Sequence, residues 1–207
     1  MIRWLERVMF VGAVACATWV FVTWQDAAFF QLYARTELRQ LVERTKAPET
    51  GRHAPPLSSA ATHDSVVGLL IIPRLALSIV AMEGDDTATL RVAAGHLPDT
   101  PLPWEDGNAS FAGHRDTFFR TLADVRAGDT IDIATTRGTF RYRVTRSLIV
   151  NPDDIWVLHP HDGTALTLMT CYPFSYIGSA PQRFVIHAVR VWEEPSSTAR
   201  LSASALD

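Results

Sequence analysis

Residues 139–150 read TFRYRVTRSLIV, and in the first half Phe140, Tyr142 and Val144 alternate with Arg141, Arg143 and Thr145. Apolar side chains at every second position fall on one side of a pleated chain, so this stretch reads as a half-buried antiparallel strand. Shorter apolar runs lie on either side of it. GLLIIP (68–73), SIVAM (78–82), ASFAG (109–113) and TIDIAT (130–135) precede it; ALTLMTC (165–171) and RFVIHAVRVW (183–192) follow. Turn signals such as Arg137-Gly138 and Asp162-Gly163 fall between the runs. Two short helical pieces are expected, around 87–94 and 118–125. Seven or eight short strands with few helices predict a mainly β fold, a closed or nearly closed β-barrel, over residues 67–195.

The whole chain has 207 residues, 47% hydrophobic and 20% charged, enough for one globular domain with accessory segments. Its formal net charge is −3, and its 19 basic residues (all Arg except Lys46) are scattered. A nucleic-acid partner would need a clustered basic face, so that class of function is excluded. Two cysteines, Cys16 and Cys171, cannot build a disulfide framework, and neither sits in a CxxC or Cys/His ligand spacing.

Between Arg7 and Asp26 the chain carries no charge, and most of that run is apolar. This stretch, residues 8–25, is just long enough to span a bilayer as a helix. Arg3 and Arg7 on its N-terminal side put residues 1–7 in the cytoplasm, and Trp4, Trp19 and Trp24 lie near its ends, as interfacial Trp does. Cleavage after Ala13-Val14-Ala15 or Ala15-Cys16-Ala17, or a lipoprotein signal ending before Cys16, competes with this reading. An uncleaved anchor is preferred because the apolar stretch runs on well past Cys16. It makes the lipid bilayer a partner and the cell membrane the location, with the barrel extracytoplasmic.

Residues 26–46 mix Phe29, Phe30, Tyr33, Leu41 and Val42 with charges, consistent with a helical stalk. The Pro-rich stretch that follows, to residue 66, has the composition of a flexible linker, and His53 and His63 fall in it. Residues 196–207 read as a disordered tail.

Three polar clusters could carry chemistry. In TLMTCYPF (167–174) a strand runs straight into Cys171, and Pro173 stops it. In FAGHRDTFF (111–119) His114 follows a strand, and in APQRFVIH (180–187) Arg183 opens one. Thiol, imidazole and guanidinium suit acyl transfer: a thiolate attacks a carbonyl, an imidazole protonates the departing amine, and a fixed Arg holds the carbonyl oxygens or the developing oxyanion. Taken singly, without any resemblance, each of the three residues reads as structural rather than catalytic.

TLMTC (167–171) resembles the TLxTC signature of sortases, membrane-anchored cysteine transpeptidases. GNASFAGHRDTFFRTLADVRAGDTI (107–131) resembles the family's histidine segment and SAPQRFVIHA (179–188) its arginine segment. The order His, Cys, Arg is also the family's, and the Cys-Tyr-Pro-Phe run looks closest to class D. The resemblance covers residues 68–192.

It implies the sortase β-barrel, with Cys171 as nucleophile, His114 as general acid/base, and Arg183 orienting the substrate or stabilising the tetrahedral intermediate. It also implies that Thr170 lines the peptide groove and that His96 supports the site. The competing readings are a local backbone bond for the Thr170 hydroxyl and a loop hydrogen bond for His96. The implied substrates are secreted proteins with a Leu-Pro-x-Thr-Ala or Leu-Pro-x-Thr-Gly motif near the C-terminus, cleaved after Thr. The implied acceptor is an amine, either a peptidoglycan precursor or a pilin lysine, so that surface proteins become anchored.

Alternatives are a thiol endopeptidase of the same fold with water as acceptor, or a non-catalytic module that binds envelope proteins. No cofactor and no metal are expected. His159-Pro160-His161 lacks a visible third ligand, and the acidic pairs Asp85-Asp86, Glu105-Asp106 and Asp153-Asp154 match no metal motif. His187 reads as a barrel-wall residue.

Overall fold

Each apolar run forms a strand in the computed structural model, which describes Trp4, Arg7 and residues 9–18, 65–159 and 163–192. In chain order the strands are β1 (Val66–Ile72), β2 (Leu77–Glu83), β3 (Ala94–His96), β4 (Asn108–Gly113), β5 (Thr130–Thr135), β6 (Gly138–Val150), β7 (Ala165–Tyr172) and β8 (Gln182–Arg190). They close into a barrel in the order β1-β2-β3-β4-β7-β8-β6-β5, and β5 returns to β1 through Leu69↔Ala134, Leu70↔Ile133 and Ile71↔Asp132. Closure leaves no strand edge unpaired. The β2–β3 and β4–β7 pairs are parallel and the others antiparallel.

The period-two pattern decides which side chains fill the barrel. Along β5, Ile131, Ile133 and Thr135 are buried and the residues between them are not. Along β6, Tyr142 and Val144 turn inward, and Tyr142 donates its hydroxyl to the Pro103 carbonyl at 3.2 Å. Burial pushes the Tyr142 phenol up to about 12. The interior is completed by residues such as Leu70, Ile79, Phe111, Leu168 and Ile186, all at most 1% exposed.

The expected helical pieces are present but short. Helix α1 (Thr87–Val92) starts where the Asp86 carboxylate accepts from the Ala88 and Thr89 amides at 2.8 and 3.2 Å. Phe118–Asp124 is 3-10 rather than α-helical. Two further 3-10 turns, Pro73–Leu75 and Ile155–Leu158, have no counterpart in the sequence reading.

Of the anchor expected over residues 8–25, residues 9–18 are described, and 8 and 19–25 lie outside the described residues. Residues 9–18 are helical, with Met9, Phe10, Val11 and Val14 exposed. Among the described residues no helix is long and apolar enough to cross a membrane. The stalk, almost all of the linker with His53 and His63, and the C-terminal tail also lie outside the described residues.

Candidate active site

Three neighbouring strands, β4, β7 and β8, build the site where they end. In the β7–β8 ladder Cys171 pairs with Arg183, Met169 with Val185 and Thr167 with His187. Directly opposed residues project to the same face, with Cα atoms about 5 Å apart. That face is the outside of the barrel. Leu166, Leu168 and Ile186 belong to the barrel core, whereas Met169 and Val185 join a separate cluster with Val157 of the 155–158 turn. Cys171 follows Met169 by two positions and Arg183 precedes Val185 by two, so both share this outer face.

β4 lies on the other side of β7, in parallel, and its last pairs are Ala112↔Met169 and Gly113↔Thr170. His114 is the next residue along. Neighbouring strands are about 4.8 Å apart, so the His114 backbone stands beside that of Cys171, on the side away from Arg183.

Local packing fixes where His114 stands. A Cβ on Gly113 would lie 2.7 to 2.9 Å from the Phe119 ring, which is fully buried; only glycine allows the 118–124 turn to close over the end of β4. The Phe119 amide donates to the His114 carbonyl at 3.1 Å. From the other side the Thr170 hydroxyl donates to the Gly113 carbonyl at 2.7 Å. His114 is thus held at a strand end by two elements while its side chain stays half-buried. Cys171 is a free, half-buried thiol.

Arg183 is also half-buried, and its Nη1 donates to the carbonyls of Ala180 (3.3 Å) and Gln182 (3.1 Å). The β7–β8 connection, residues 173–181, starts on an aromatic cluster. Phe174 meets Tyr172 edge-on at 6.0 Å and Phe184 at 5.3 Å, and Tyr172 stacks on Phe184 at 6.3 Å. Further along, Arg115 Nη2 donates to the carbonyls of Tyr176 (2.7 Å) and Gly178 (2.9 Å).

The two supporting residues expected from sequence sit deeper than the groove. Thr170 is 3% exposed, with its hydroxyl engaged by Gly113, which is the backbone-bond reading. His96 is 1% exposed and pairs with Phe111 across β3–β4, three residues short of His114. A carbonyl only accepts, so His96 Nε2 donates to Pro101 O at 3.0 Å, and Nδ1 is hydrogen-bonded to Glu83 Oε2 at 2.8 Å. The geometry gives His96 the loop hydrogen-bond role, apart from the cluster around Cys171.

His187 is a wall residue, 4% exposed, with Nδ1 3.2 Å from the Thr167 hydroxyl. Asp86 caps α1, Glu105 accepts from the Leu102 amide and Asp154 from the Asn151 amide, so these carboxylates serve turns. Among the described residues no three His, Cys, Asp or Glu side chains come together as a metal site. Of the His159-Pro160-His161 triplet, only His159 is described.

Two features escaped the sequence reading. One is a half-buried strip, Ala112 and Met169, running back from Cys171 along the outer face toward Val157 and Leu158. Counting back by two from Cys171 finds Met169, but its neighbour Ala112 needs the parallel register. The other is Arg115, whose partners lie 61 and 63 positions away.

A thiol-bearing residue opposed to an arginine, with a histidine at the end of the adjoining strand and an apolar strip leading to it, is an arrangement able to hold an extended peptide and open its carbonyl. A closed barrel with these three groups at the ends of adjacent strands has the architecture of a sortase domain. The Sortase domain family model matches residues 70–191. The chain belongs to the sortase family.

Sortase D of Bacillus subtilis (strain 168) is 38% identical over 125 residues, 60% of this chain and 63% of that protein. Sortase A of Listeria monocytogenes is 27% identical over 112 residues, 52% of this chain and 50% of that one. The chain therefore spans less than two thirds of the length of these curated relatives. The solved structure of a Clostridium perfringens Sortase D5 transpeptidase is similar with a TM-score of 0.61 and 24% identity, over 76% of this chain and 98% of that one. At that identity the similarity is one of fold.

Proposed function

We propose that this protein is a cysteine transpeptidase that cleaves a Leu-Pro-x-Thr-Ala or Leu-Pro-x-Thr-Gly motif after Thr and passes the acyl group to an amine. The observation that supports this is the direct pairing of Cys171 with Arg183 across β7–β8, with His114 following directly on the last β4–β7 pair, in a chain of the sortase family.

In the first step the Cys171 thiolate attacks the Thr carbonyl carbon, the C–N bond breaks, and His114 gives its proton to the departing amine. A thioester remains on Cys171. In the second step an amine attacks the thioester carbonyl, the C–S bond breaks, and His114 takes the proton from the incoming nitrogen. Arg183 donates to the oxygen that becomes negative in each tetrahedral intermediate. The Ala112–Met169 strip supports an extended peptide approaching along the barrel wall. With water in place of the amine, the same chemistry ends in hydrolysis.

The acceptor in this reading is a peptidoglycan precursor or a pilin lysine, and the substrates are secreted surface proteins. The uncharged run of residues 8–25 supports a single-pass anchor with Arg3 and Arg7 on the cytoplasmic side and the barrel outside. Such a tether raises the barrel's effective concentration beside membrane-bound substrates.

Mass spectrometry of the protein with a panel of Leu-Pro-x-Thr-x peptides, with and without added amine, tests the reading. A thioester-sized adduct on Cys171, absent from Cys171→Ala, and an amine-trapped product are expected. Cleavage without amine capture would make the protein an endopeptidase. A folded protein with no adduct on any peptide would leave a binding module.

A further inference from the structure

Arg115 follows His114 directly, yet its hydrogen bonds go to the other side of the site. Its Nη2 joins the carbonyls of Tyr176 and Gly178, and its guanidinium lies over the Tyr176 ring at 5.8 Å. Its Nη1 is shut off from solvent without a hydrogen-bond partner. The two carbonyls and the ring, rather than hydration of the cation, therefore set where the head group sits.

The segment it grips has little else to hold it. Residues 175–179 are all exposed, Ile177 at 97%, so apolar burial does not anchor them. Before them, Phe174 is packed between Tyr172 and Phe184. After them, Arg183 itself donates to Ala180 and Gln182. Among the described residues, the side-chain hydrogen bonds that reach Tyr176 and Gly178 from outside the loop are those of Arg115. The Arg183 guanidinium rests on the loop carbonyl of Ala180 and on that of Gln182, where the loop enters β8, so its position follows the loop's.

We propose that Arg115 is a positioning residue: it ties the β7–β8 loop to the end of β4 and, through that loop, sets the place of the Arg183 guanidinium relative to Cys171 and His114. This rests on the reading of those three residues as the reacting set. Arg115 acts at a distance from the peptide groove. Its loss therefore acts on the fraction of molecules with Arg183 in place, and so on kcat rather than on peptide affinity.

The test compares the full-length protein with Arg115→Met, which keeps an apolar stem, and Arg115→Lys, which keeps a cation able to reach both carbonyls. Hydrogen exchange of residues 174–182, kcat and KM for a cleaved Leu-Pro-x-Thr-x peptide, and the melting temperature are measured for each. Arg115→Met is expected to raise loop exchange about tenfold and to lower kcat about tenfold with KM within twofold. Arg115→Lys should recover most of both.

Unchanged exchange in Arg115→Met overturns the proposal. So does an unchanged kcat over a loosened loop, or a loss that falls on KM with the loop intact. Should Arg115→Met fail to fold, Arg115→Lys decides: loop exchange and kcat that rise and fall together uphold the clamp, and a kcat loss over an unaltered loop overturns it. If the wild type turns over no peptide, the transpeptidase reading fails. The clamp is then judged by loop exchange alone.

Discussion

Cys171 and Arg183 face each other across the β7–β8 ladder, while the Arg183 guanidinium is engaged by the carbonyls of Ala180, in the loop that joins the two strands, and of Gln182, the first residue of β8. The residue opposite the thiol is thus held through its Nη1 by backbone carbonyls. The ladder sets the distance between the two residues, and the loop sets the orientation of the cation.

Replacing Arg183 with Lys keeps the charge but removes the planar fork of donors. Peptide cleavage should drop by about 10²- to 10³-fold in kcat, the loss typical of one oxyanion donor. Arg183 is only half-buried, so thermal unfolding should stay close to wild type. Single-turnover kinetics on a Leu-Pro-x-Thr-x peptide, beside a melting curve, checks both halves.

Thr170→Val conserves shape and removes the hydroxyl that ties β7 to the Gly113 carbonyl at 2.7 Å. Stability should fall by about 1 to 2 kcal/mol, because the carbonyl loses its side-chain donor in a buried setting. Gly113 precedes His114, so a relaxed strand end should also shift the imidazole and slow turnover by about tenfold. Denaturant titration and peptide kinetics measure the two effects. Full activity in a destabilised variant would show that the tie does not position His114.

His96→Ala leaves the Glu83 carboxyl buried without its partner, and Glu83 is 8% exposed. Leaving a buried hydrogen-bonding group without its partner costs about 1 to 3 kcal/mol. The folded fraction should retain near-normal kinetics, because His96 braces the Pro101 segment instead of touching the peptide. Adding Glu83→Gln should restore part of the loss, and a double-mutant cycle reads that coupling.

Asp129 joins the turn before β5 to the one after β1. Arg74 Nε and Nη2 reach its two oxygens at 2.5 and 2.6 Å, and the Arg126 amide adds a bond at 2.8 Å. The Arg74 hydrogen bond holds the Asp129 carboxyl below its ordinary value, against burial, which pushes it up. A folded-state value below the unfolded one means that the stabilisation is complete above about pH 4 and is lost as the pH falls through the folded-state value. Unfolding free energies measured between pH 6 and pH 2 should fall more steeply for wild type than for Asp129→Asn.

The β-barrel was legible where one side chain in two had to be buried, as in Tyr142 and Val144 of β6. β3 was not. Its three residues, Ala94–His96, carry no period; they are a strand because Ala81↔Ala94 and Glu83↔His96 pair them to β2. Within the site, the order His114, Cys171, Arg183 and the strand ends that carry them could be read from the chain. Thr170 and His96 were read toward the groove and lie inside, because burial depends on which neighbours close over a residue.

The sequence by itself determined the strand-forming segments, the three chemical groups and their family, since alternation, punctuation and motif order are local properties. The tertiary structure alone decided that Cys171 and Arg183 oppose each other across β7–β8, that His114 follows directly on the last β4–β7 pair, and that Arg115 grips a loop 61 positions away. The reason is register. Hydrogen bonds between β4 and β7, and between β7 and β8, select one alignment out of several that the same apolar patterns permit, and shifting either strand by one residue would turn its chemistry into the core.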